Sequence, residues 1–441
     1  MTIDELKKIL RESGVVGAGG AGFPTYAKLD ERANTILLNC AECEPLLTLH
    51  RQLLKLRAEE ILKAFEEVRK TVKATEGIIG IKSEYTATIN ELNKYIDDYP
   101  AIRIKELPGA YPMGDEVVLI YEATGKVVRP GGLPIEQGVA VFNVETMYNV
   151  SKAMNAKLGV TEKLVTIVGE VTDPKTVRLP IGTSIDEAVS FAGDVKIEEP
   201  VYFVGVPMMG RIMKGSDPIT KTTNAILVLP KDHTLVLKKQ ADTSIQLNRA
   251  ASICCQCQMC TDLCPRHALG HPIEPHLFMR AASNRDFQDM NPFLNTFYCS
   301  SCGLCELFSC PQGLQPRTLI TEYKNGLRAK GVKPPAEPKV HDVIRQRDDR
   351  KAPEKRLAAR LGVTQYECEA LLEEDTKSVR QVKINLSQHI GAPSKLNVKV
   401  GDVLKKGDIV GLAADGLGVN IHASVDGKVV EATDKYVKIK A

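Results

Sequence analysis

Residues 254–265 read CCQCQMCTDLCP, and residues 299–311 read CSSCGLCELFSCP. In each run, gaps of two residues separate three cysteines, and a further cysteine stands directly before a proline. This is the spacing with which bacterial iron–sulfur proteins hold a cubic [4Fe–4S] cluster. Two such runs predict two clusters, and therefore a protein that transfers electrons.

The last cysteine of each run is expected to serve the other cluster, as in two-cluster ferredoxins. Cluster one is assigned Cys254, Cys257, Cys260 and Cys310, and cluster two is assigned Cys299, Cys302, Cys305 and Cys264. Four residues, rather than the usual three, separate the last two cysteines of the second run. A ligand that crosses from behind its own loop tolerates that extra residue.

Zinc sites and a disulfide framework are the alternatives for these cysteines. Zinc ribbons usually carry two CxxC pairs rather than three cysteines in tandem, and the chain shows no secretory signal pattern. Cys255 falls outside the spacing and is interpreted as a spare thiol. Cys368 stands on a helical pattern over residues 357–372 and is interpreted as a packed small hydrophobic residue. His267 and His271 are interpreted as surface or capping residues rather than metal ligands.

The composition indicates a multidomain protein with balanced charge. The chain has 441 residues, of which 43% are hydrophobic, and a formal net charge of +3. This length exceeds what one hydrophobic core serves, and the balanced charge argues against nucleic acid as a partner. The longest apolar runs, such as residues 35–38 and 225–229, have the length of strands, so no membrane span is expected. Because no signal-peptide core follows Met1, we expect a cytoplasmic protein.

A glycine-rich stretch, GAGGAGFPT, occupies residues 17–25 and contains GxGxxG through Gly17, Gly19 and Gly22. It follows a predicted helix rather than a strand, which is the wrong context for a standard Rossmann fingerprint. An ordinary glycine loop is the alternative. Glycines nevertheless let backbone N–H groups approach a phosphate closely, and a helix N-terminus that follows favours an anion.

Further motifs stand in order along the chain. They are TILLNCAECEP at residues 35–45, GAYPMGDE at 109–116, FNVET at 142–146, GVPMMG at 205–210 and DPITKTTN at 217–224. Together with the glycine-rich stretch, these motifs resemble the flavin-binding subunit of respiratory complex I and, more closely, the RnfC/PduS family. The resemblance covers nearly the whole chain, including both cysteine runs.

The resemblance implies an N-terminal domain that binds FMN and takes hydride from NADH. The residues it assigns to the cofactor pocket are Gly19, Gly20, Gly22, Phe23, Lys28, Asn39, Glu42, Tyr111, Gly114, Glu116, Asn143 and Thr146. The glycines and Lys28 are expected at the phosphate and ring edge, and Asn39 and Glu42 beside the isoalloxazine ring and ribityl chain. Phe23 is the expected stacking partner of the nicotinamide or adenine.

Glu42 is the residue that the resemblance makes catalytic, in the hydride step. Ala41 departs from the complex I pattern, which has an aspartate at this place, so one polar contact to the flavin is expected to be missing or replaced. Cys40 and Cys43 are interpreted as an accidental pair. The alternative, a redox-active dithiol, would need a helix N-terminus beside it.

Flavin suits a position between NADH and iron–sulfur clusters, because NADH gives two electrons together and each cluster accepts one. The resemblance implies cobalamin as the acceptor, as in a PduS-like cobalamin reductase. The alternative is an RnfC-like subunit that passes electrons to a partner protein, either ferredoxin or a reductase complex such as a folate or acyl-CoA reductase. Both imply membership of a larger complex, in a bacterial microcompartment or a soluble assembly. A structural or zinc-binding shell component is the third alternative.

The predicted fold is multidomain α/β. Its units are a Rossmann-like FMN/NADH domain (1–160), a β-grasp (SLBB-like) module (161–235), a two-cluster ferredoxin-like helical domain (240–330), a charged linker with a short helix (331–378) and an all-β barrel-sandwich hybrid (379–441). The β-grasp module is expected to space and dock the domains or to be purely structural. The final domain resembles lipoyl-type carriers, but its hairpin at residues 415–419 has no lysine, so neither lipoate nor biotin is expected.

Overall fold

The N-terminal domain is built on a parallel sheet. The structure is a computed structural model that describes residues 1–441. The strands are β1 (Thr35–Cys40), β2 (Glu76–Lys82), β3 (Ile102–Leu107), a short β4 (Ala110–Tyr111) outside the sheet, and β5 (Val139–Asn143). The sheet has the order β3-β2-β1-β5, and all three pairings are parallel. The strand expected at residues 35–38 is therefore confirmed as the buried centre of β1.

Helices cover this sheet, as a parallel sheet requires on both faces. They are α1 (Ile3–Glu12), α2 (Leu49–Leu56), α3 (Ala58–Thr71), α4 (Thr86–Leu92), α5 (Glu116–Thr124) and α6 (Val144–Ala156). The chain runs outward from β1 to β3 and then returns to β5 on the other side of β1. In open α/β sheets, the crevice at the carboxyl ends of the strands beside such a switch is where ligands bind.

A second sheet follows in the β-grasp region. Its own elements are β6 (Glu162–Gly169), β7 (Lys175–Pro180), α7 (Ile185–Ser190), β8 (Pro200–Val204), β9 (Arg211–Met213) and β10 (Ala225–Pro230). Ser184 caps α7 by accepting a hydrogen bond from the Glu187 backbone N–H, as the sequence pattern predicts. A separate core of buried aliphatic residues, among them Val165, Val177 and Ile226, packs α7 against the sheet.

The cysteine runs lie in a helical domain. Its helices are α8 (Thr234–Gln240), α9 (Thr243–Ile253), α10 (Met259–Asp262), α11 (Pro265–Ala268), α12 (Pro275–Asn284), α13 (Asn291–Leu294), α14 (Leu304–Leu307) and α15 (Pro316–Ala329). The Phe278 and Tyr323 rings meet edge to face, with centroids 5.3 Å apart. This aromatic core holds α12 against α15 behind the cysteine loops.

The segment after α15 packs on the N-terminal domain. It contains β11 (Ala352–Pro353), which pairs with β4, then α16 (Glu354–Leu361) and β12 (Leu372–Thr376), which joins the second sheet beside β7. Arg347 pairs with Glu122 at 2.6 Å, and Glu354 pairs with Lys82, so several of its charges meet partners rather than solvent alone. The helix expected over residues 357–372 ends early.

Gly362 explains that early end, because its φ of +71° closes the helix in the left-handed region. Residues 372–376 are instead the strand β12. Cys368 lies outside any helix and is exposed, so its interpretation as a packed hydrophobic residue is wrong.

The C-terminal domain is all-β. Its strands are β13 (Gln381–Asn385), β14 (Lys395–Leu396), β15 (Val403–Leu404), β16 (Ile409–Leu412), β17 (Ile421–His422), β18 (Gly427–Ala432) and β19 (Tyr436–Lys440). They form two antiparallel sheets, ordered β13-β19-β18-β15 and β14-β16-β17. The hairpin at residues 415–419 docks on the N-terminal domain, since Arg11 donates to the Ala414 carbonyl at 2.9 Å and Tyr26 to the Gly416 carbonyl at 3.1 Å.

No helix of the chain has both the length and the apolar character to span a bilayer.

Candidate functional site

A deep crevice opens at the switch point of the N-terminal sheet. Asn39, one residue before the end of β1, pairs in register with Asn143, the last residue of β5, so both side chains lie at the carboxyl edge. Asn143 caps α6 by accepting from the Glu145 N–H at 2.9 Å, and Asn39 donates to the Gly114 carbonyl at 3.0 Å. The two asparagines therefore fix the floor of the crevice.

The crevice has a volume of about 450 Å³ and gathers every pocket residue that the motifs name. Those residues are Gly19, Gly20, Gly22, Phe23, Lys28, Asn39, Glu42, Tyr111, Gly114, Glu116, Asn143 and Thr146. The volume falls within the range of small-molecule and cofactor sites, whose typical volumes are roughly 300–1,000 Å³. The sequence resemblance thus names side chains that share one cavity.

The glycine-rich loop forms one rim of the crevice. The Ala18 N–H donates to the Thr146 hydroxyl at 2.9 Å, which ties the loop to the N-terminal turn of α6. Gly20 has φ +60°, and a Cβ placed there would meet no atom within 4 Å, so the loop leaves open space at that point. Lys28 donates to Glu116 and to the Val141 carbonyl, both at 2.9 Å. Its ammonium group is thus held at the rim by a carboxylate.

Glu42 is a buried carboxylate in the crevice wall. It accepts hydrogen bonds from the His50 N–H at 2.5 Å and the Arg51 N–H at 3.0 Å, so it sits on the N-terminal turn of α2. Burial raises the pKa of Glu42 to about 7 in spite of these hydrogen bonds. The group can therefore change charge near neutral pH.

Two further crevice residues, His50 and Glu44, escaped the sequence analysis. The His50 ring lies between Glu42 and Asn143, with its Nε2 3.2 Å from the Asn143 side-chain nitrogen, and burial lowers its pKa to about 3. Glu44 accepts from the Met208 N–H at 3.0 Å, while its Oε1 is buried without a partner. The only sequence signal for His50 is its position five residues after the NCAECEP motif. Glu44 is the second glutamate of that motif, and the motif alone predicted no role for it.

The second sheet also contributes to the crevice. Val206 and Met209, from the loop after β8, and Asn224, just before β10, line its wall. Met208 is fully buried. It packs against the second cysteine loop, because its carbonyl oxygen would lie 3.4 Å from a Cβ placed on Gly303. The β-grasp module therefore supplies residues to the wall of the crevice.

The four cysteines assigned to cluster one surround a single cavity. Cys254, Cys257, Cys260 and Cys310 line it together with Cys255. Burial and the nearby thiols of that group raise the pKa of Cys260 to about 12. Cys255 and Cys257 are exposed, so this cavity lies at the molecular surface.

The other four assigned cysteines also lie together. Burial raises the pKa of Cys264 to about 11, with the neighbouring Cys299 thiol adding to the rise. Burial also raises the pKa of Cys302 and of Cys305. The neighbouring thiols of Cys264 and Cys299 add to the rise at Cys302, and those of Cys299 and Cys302 add to the rise at Cys305. Cys264 of the first run thus lies beside cysteines of the second run.

Both cysteine loops have the same backbone form. Gln256 and Gln258 in the first loop, and Ser301 and Gly303 in the second, all have positive φ, between 54° and 85°. In each loop these left-handed residues lie directly before and after the middle cysteine, Cys257 or Cys302.

The crevice reaches the second cysteine loop. Ser300 and Cys302 line it, and the Tyr111 hydroxyl donates to the Cys302 carbonyl at 2.6 Å. The second cysteine loop therefore borders the crevice, whereas no residue of the first loop lines it.

The remaining cysteines and histidines named in the sequence lie outside the two cysteine groups. Cys40 and Cys43 are buried, and burial raises the pKa of both thiols, which is the opposite of a reactive dithiol. His271 is buried and its Nε2 lies 2.9 Å from the Val128 carbonyl, so it is not a surface residue. His267 packs against the His341 ring at a centroid distance of 4.7 Å.

The residues present suit an FMN and two clusters. The open space above Gly20 leaves room for a phosphate beside backbone N–H groups. A buried Arg266 Nε has no partner within the protein, although Cys264 and Cys302 lie beside this guanidinium. Cluster sulfurs accept hydrogen bonds from such donors.

Comparison with known families agrees with this interpretation of each region. The Nuo51 FMN-binding domain matches residues 10–152, the SLBB domain 164–211, the 4Fe-4S dicluster domain 253–315 and the RnfC barrel sandwich hybrid domain 367–440. The predicted multidomain α/β fold is thereby confirmed.

Two of the relatives match over nearly the full length, and a third matches over part of it. Cobalamin reductase PduS of Salmonella typhimurium is 38% identical over 441 residues, covering 100% of this chain and 97% of that protein. Cobalamin reductase PduS of Citrobacter freundii is 37% identical and covers 98% of this chain and 96% of that protein. A component of the Na(+)-translocating ferredoxin:NAD(+) oxidoreductase complex of Acetobacterium woodii is 32% identical, over 60% of this chain and 59% of that protein.

The expected cofactors and reaction class are confirmed with these matches: the chain is an NADH-dependent oxidoreductase with FMN and [4Fe–4S] clusters. With identity of this level along its whole length, the chain belongs to the PduS family of flavin iron–sulfur proteins, to which the RnfC-type proteins are related.

Proposed function

We propose that this chain oxidises NADH at FMN and delivers single electrons through cluster two and then cluster one to a cobalamin. The observation that carries the route is that Ser300 and Cys302, of the second cysteine loop, line the same crevice as the glycine-rich loop. The full-length relatives named as cobalamin reductases support the acceptor. FMN supplies the exchange between a two-electron donor and one-electron acceptors.

Within this proposal, the glycine-rich loop and Lys28 hold the FMN phosphate, and Asn39 and Asn143 position the flavin at the sheet edge. Glu116 also lies at this phosphate position, and its carboxylate accepts a hydrogen bond from Lys28 at 2.9 Å. A bound phosphate would compete with Glu116 for the same ammonium group. Phe23, exposed at the rim, is in place to stack on the nicotinamide or adenine of NADH.

Glu42 is proposed to act in hydride transfer. A carboxylate in a buried wall stabilises the positive charge that develops on nicotinamide as hydride leaves. The α2 N-terminal turn keeps this carboxylate in one orientation through two backbone hydrogen bonds.

The proposed ligands of cluster two are Cys264, Cys299, Cys302 and Cys305, and those of cluster one are Cys254, Cys257, Cys260 and Cys310. Cluster one is the exit, because Cys257 of its loop is exposed whereas the loop of cluster two faces the crevice. A cobalamin or a partner redox protein would meet the molecule there. We place the protein in the cytoplasm, inside a microcompartment or a soluble complex.

Anaerobic purification followed by an acceptor panel tests this function. The purified chain should contain FMN and eight irons, as expected for two [4Fe–4S] clusters. NADH should reduce aquacobalamin with this chain alone. Oxidation of NADH with a viologen but never with cobalamin would remove the cobalamin reductase function and favour an RnfC-like role with a protein acceptor. A native pull-down would then identify that partner.

A further inference from the structure

Arg266 lies between the crevice and the second cysteine group. Its Nη2 donates to Asp115 Oδ2 at 2.9 Å, and Asp115 lines the crevice. The same guanidinium lies close to Cys264 and Cys302. Both side chains of the pair are largely buried, with 18% and 12% of their surface exposed. One ion pair thus bridges the two redox sites.

One donor atom of Arg266 is paired within the protein and another is not. Nη2 is taken by Asp115, whereas the buried Nε has no partner in the protein. A guanidinium carries its charge at any physiological pH and cannot release it. An unpaired buried donor is destabilising, and an acceptor on the cysteine side would offset that cost.

The two carboxylate oxygens of Asp115 have different partners. Its Oδ1 caps α5 by accepting from Val117 N–H at 3.0 Å and Val118 N–H at 3.2 Å, while Oδ2 faces Arg266. An asparagine could keep the cap through its own oxygen and still lose the negative charge. The pair therefore offers two charge changes of opposite sign at one place.

We propose that Arg266 is a positioning residue that sets the reduction potential of cluster two, with Asp115 as its partial counter-charge. A fixed positive charge and an N–H donor beside the sulfurs favour the reduced, more negative cluster. This raises the potential of the cluster next to the crevice, so that it draws electrons from the flavin site. The inference rests on the proposed ligand set of cluster two, but not on the identity of the final acceptor.

Potentiometric EPR titration of the purified, cluster-loaded protein tests the proposal. Cys257→Ser, which removes a proposed ligand of cluster one, shows which signal belongs to cluster two. We expect Arg266→Gln to lower the potential of cluster two by at least the equivalent of a tenfold change in equilibrium, 59 mV for one electron. Asp115→Asn should raise it. Arg266→Lys should restore part of the loss.

The control is Arg360→Gln, because Arg360 donates to the carbonyl of Cys310, a proposed ligand of cluster one, at 3.3 Å. It should leave the potential of cluster two unchanged. The proposal is overturned if Arg266→Gln retains all its iron and shows no shift, or if both pair variants move the potential in the same direction. Should Arg266→Gln lose cluster two, Asp115→Asn decides alone: an upward shift supports the proposal and an unchanged potential overturns it. None of these outcomes depends on cobalamin reduction, so this test is independent of the proposal that cobalamin is the acceptor.

Discussion

At the residue scale, burial and a helix terminus act on Glu42 in opposite directions. Burial favours the neutral acid, whereas the two N–H groups of the first turn of α2 favour the carboxylate. Burial prevails and raises the pKa of Glu42 to about 7, from 4.5 for an unperturbed glutamate. The carboxylate proposed to assist hydride transfer is therefore protonated below about pH 7 and charged above it.

The pH dependence of NADH-driven flavin reduction follows from that shift. Because only the charged form stabilises a positive nicotinamide, we expect the rate to rise from pH 6 to pH 8 with a midpoint near 7. Glu42→Gln should flatten this rise and lower the rate above pH 7 by about tenfold to a hundredfold, as for other electrostatic groups placed at reacting charges. Anaerobic stopped-flow absorbance at the flavin band measures it.

Glu44→Gln is the matched control, since Glu44 is a neighbouring buried carboxylate in the same crevice whose pKa burial raises to about 8. This variant should keep the transition near pH 7. If Glu42→Gln retains that transition and Glu44→Gln abolishes it, the assignment of Glu42 to the hydride step is wrong.

At the element scale, the two cysteine loops repeat one backbone pattern in different surroundings. The first loop is open to solvent at Cys257, whereas the second packs on the crevice through Tyr111 and Met208. In the proposed route, the same local structure therefore gives one loop that receives electrons from the flavin site and one that faces the acceptor.

Serine substitution in each loop separates these roles. Cys257→Ser should lose about half of the iron and lower cobalamin reduction by roughly tenfold or more. Flavin reduction by NADH should survive. Cys302→Ser should instead stop electrons at the flavin, so that flavin is reduced while the remaining cluster stays oxidised. Iron analysis with EPR after NADH addition measures both variants. Reduction of the remaining cluster in Cys302→Ser at the wild-type rate would reverse the proposed order.

Local patterns determine how much of this site was predictable from the sequence. Cysteine spacing predicted two groups of thiols, one of which lines a single cavity, and the ordered motifs named twelve residues that lie in one crevice. Val206, Met209 and Asn224 were missed as site residues because they belong to another sheet, and only the packing of the two modules brings them to the crevice. The expected helix over residues 357–372 failed at Gly362, where a left-handed glycine ends it. A periodic pattern of apolar residues carries no information about that conformation.

At the scale of the whole molecule, Lys221 joins three domains that are far apart in the sequence. Its buried Nζ donates to the Gly14 carbonyl at 2.7 Å and the Asn420 carbonyl at 3.3 Å. The lysine belongs to the β-grasp region, and its two acceptors to the N-terminal and C-terminal domains. Gly14 lies so close that a Cβ there would be 2.3 Å from the Asn420 oxygen. The C-terminal domain is thereby locked beside the glycine-rich loop, although it comes last in the chain.

Stability should depend on pH through Lys221. Burial lowers the pKa of this lysine from 10.5 to about 7 in the folded protein. Between these values the unfolded chain binds one more proton than the folded chain, so the contribution of Lys221 to stability rises with pH. The titratable groups nearest to it, His389 and His422, have pKa values lowered by burial and stay neutral over this range.

Lys221→Met keeps the length of the side chain but removes the donor and the titration. The two carbonyls would lose their partner, at a cost of about 1–3 kcal/mol each if they stay dry. We expect Tm to fall, and the difference from wild type to grow from pH 7 to pH 9.5 by up to about 1.4 kcal/mol per pH unit. Differential scanning calorimetry of the anaerobic protein measures it. Lys231→Met, at an exposed lysine paired with Glu199, is the control and should show no such growth. A difference between Lys221→Met and wild type that does not change with pH would mean that Lys221 stays charged in the folded protein, and that its two hydrogen bonds alone hold the domains together.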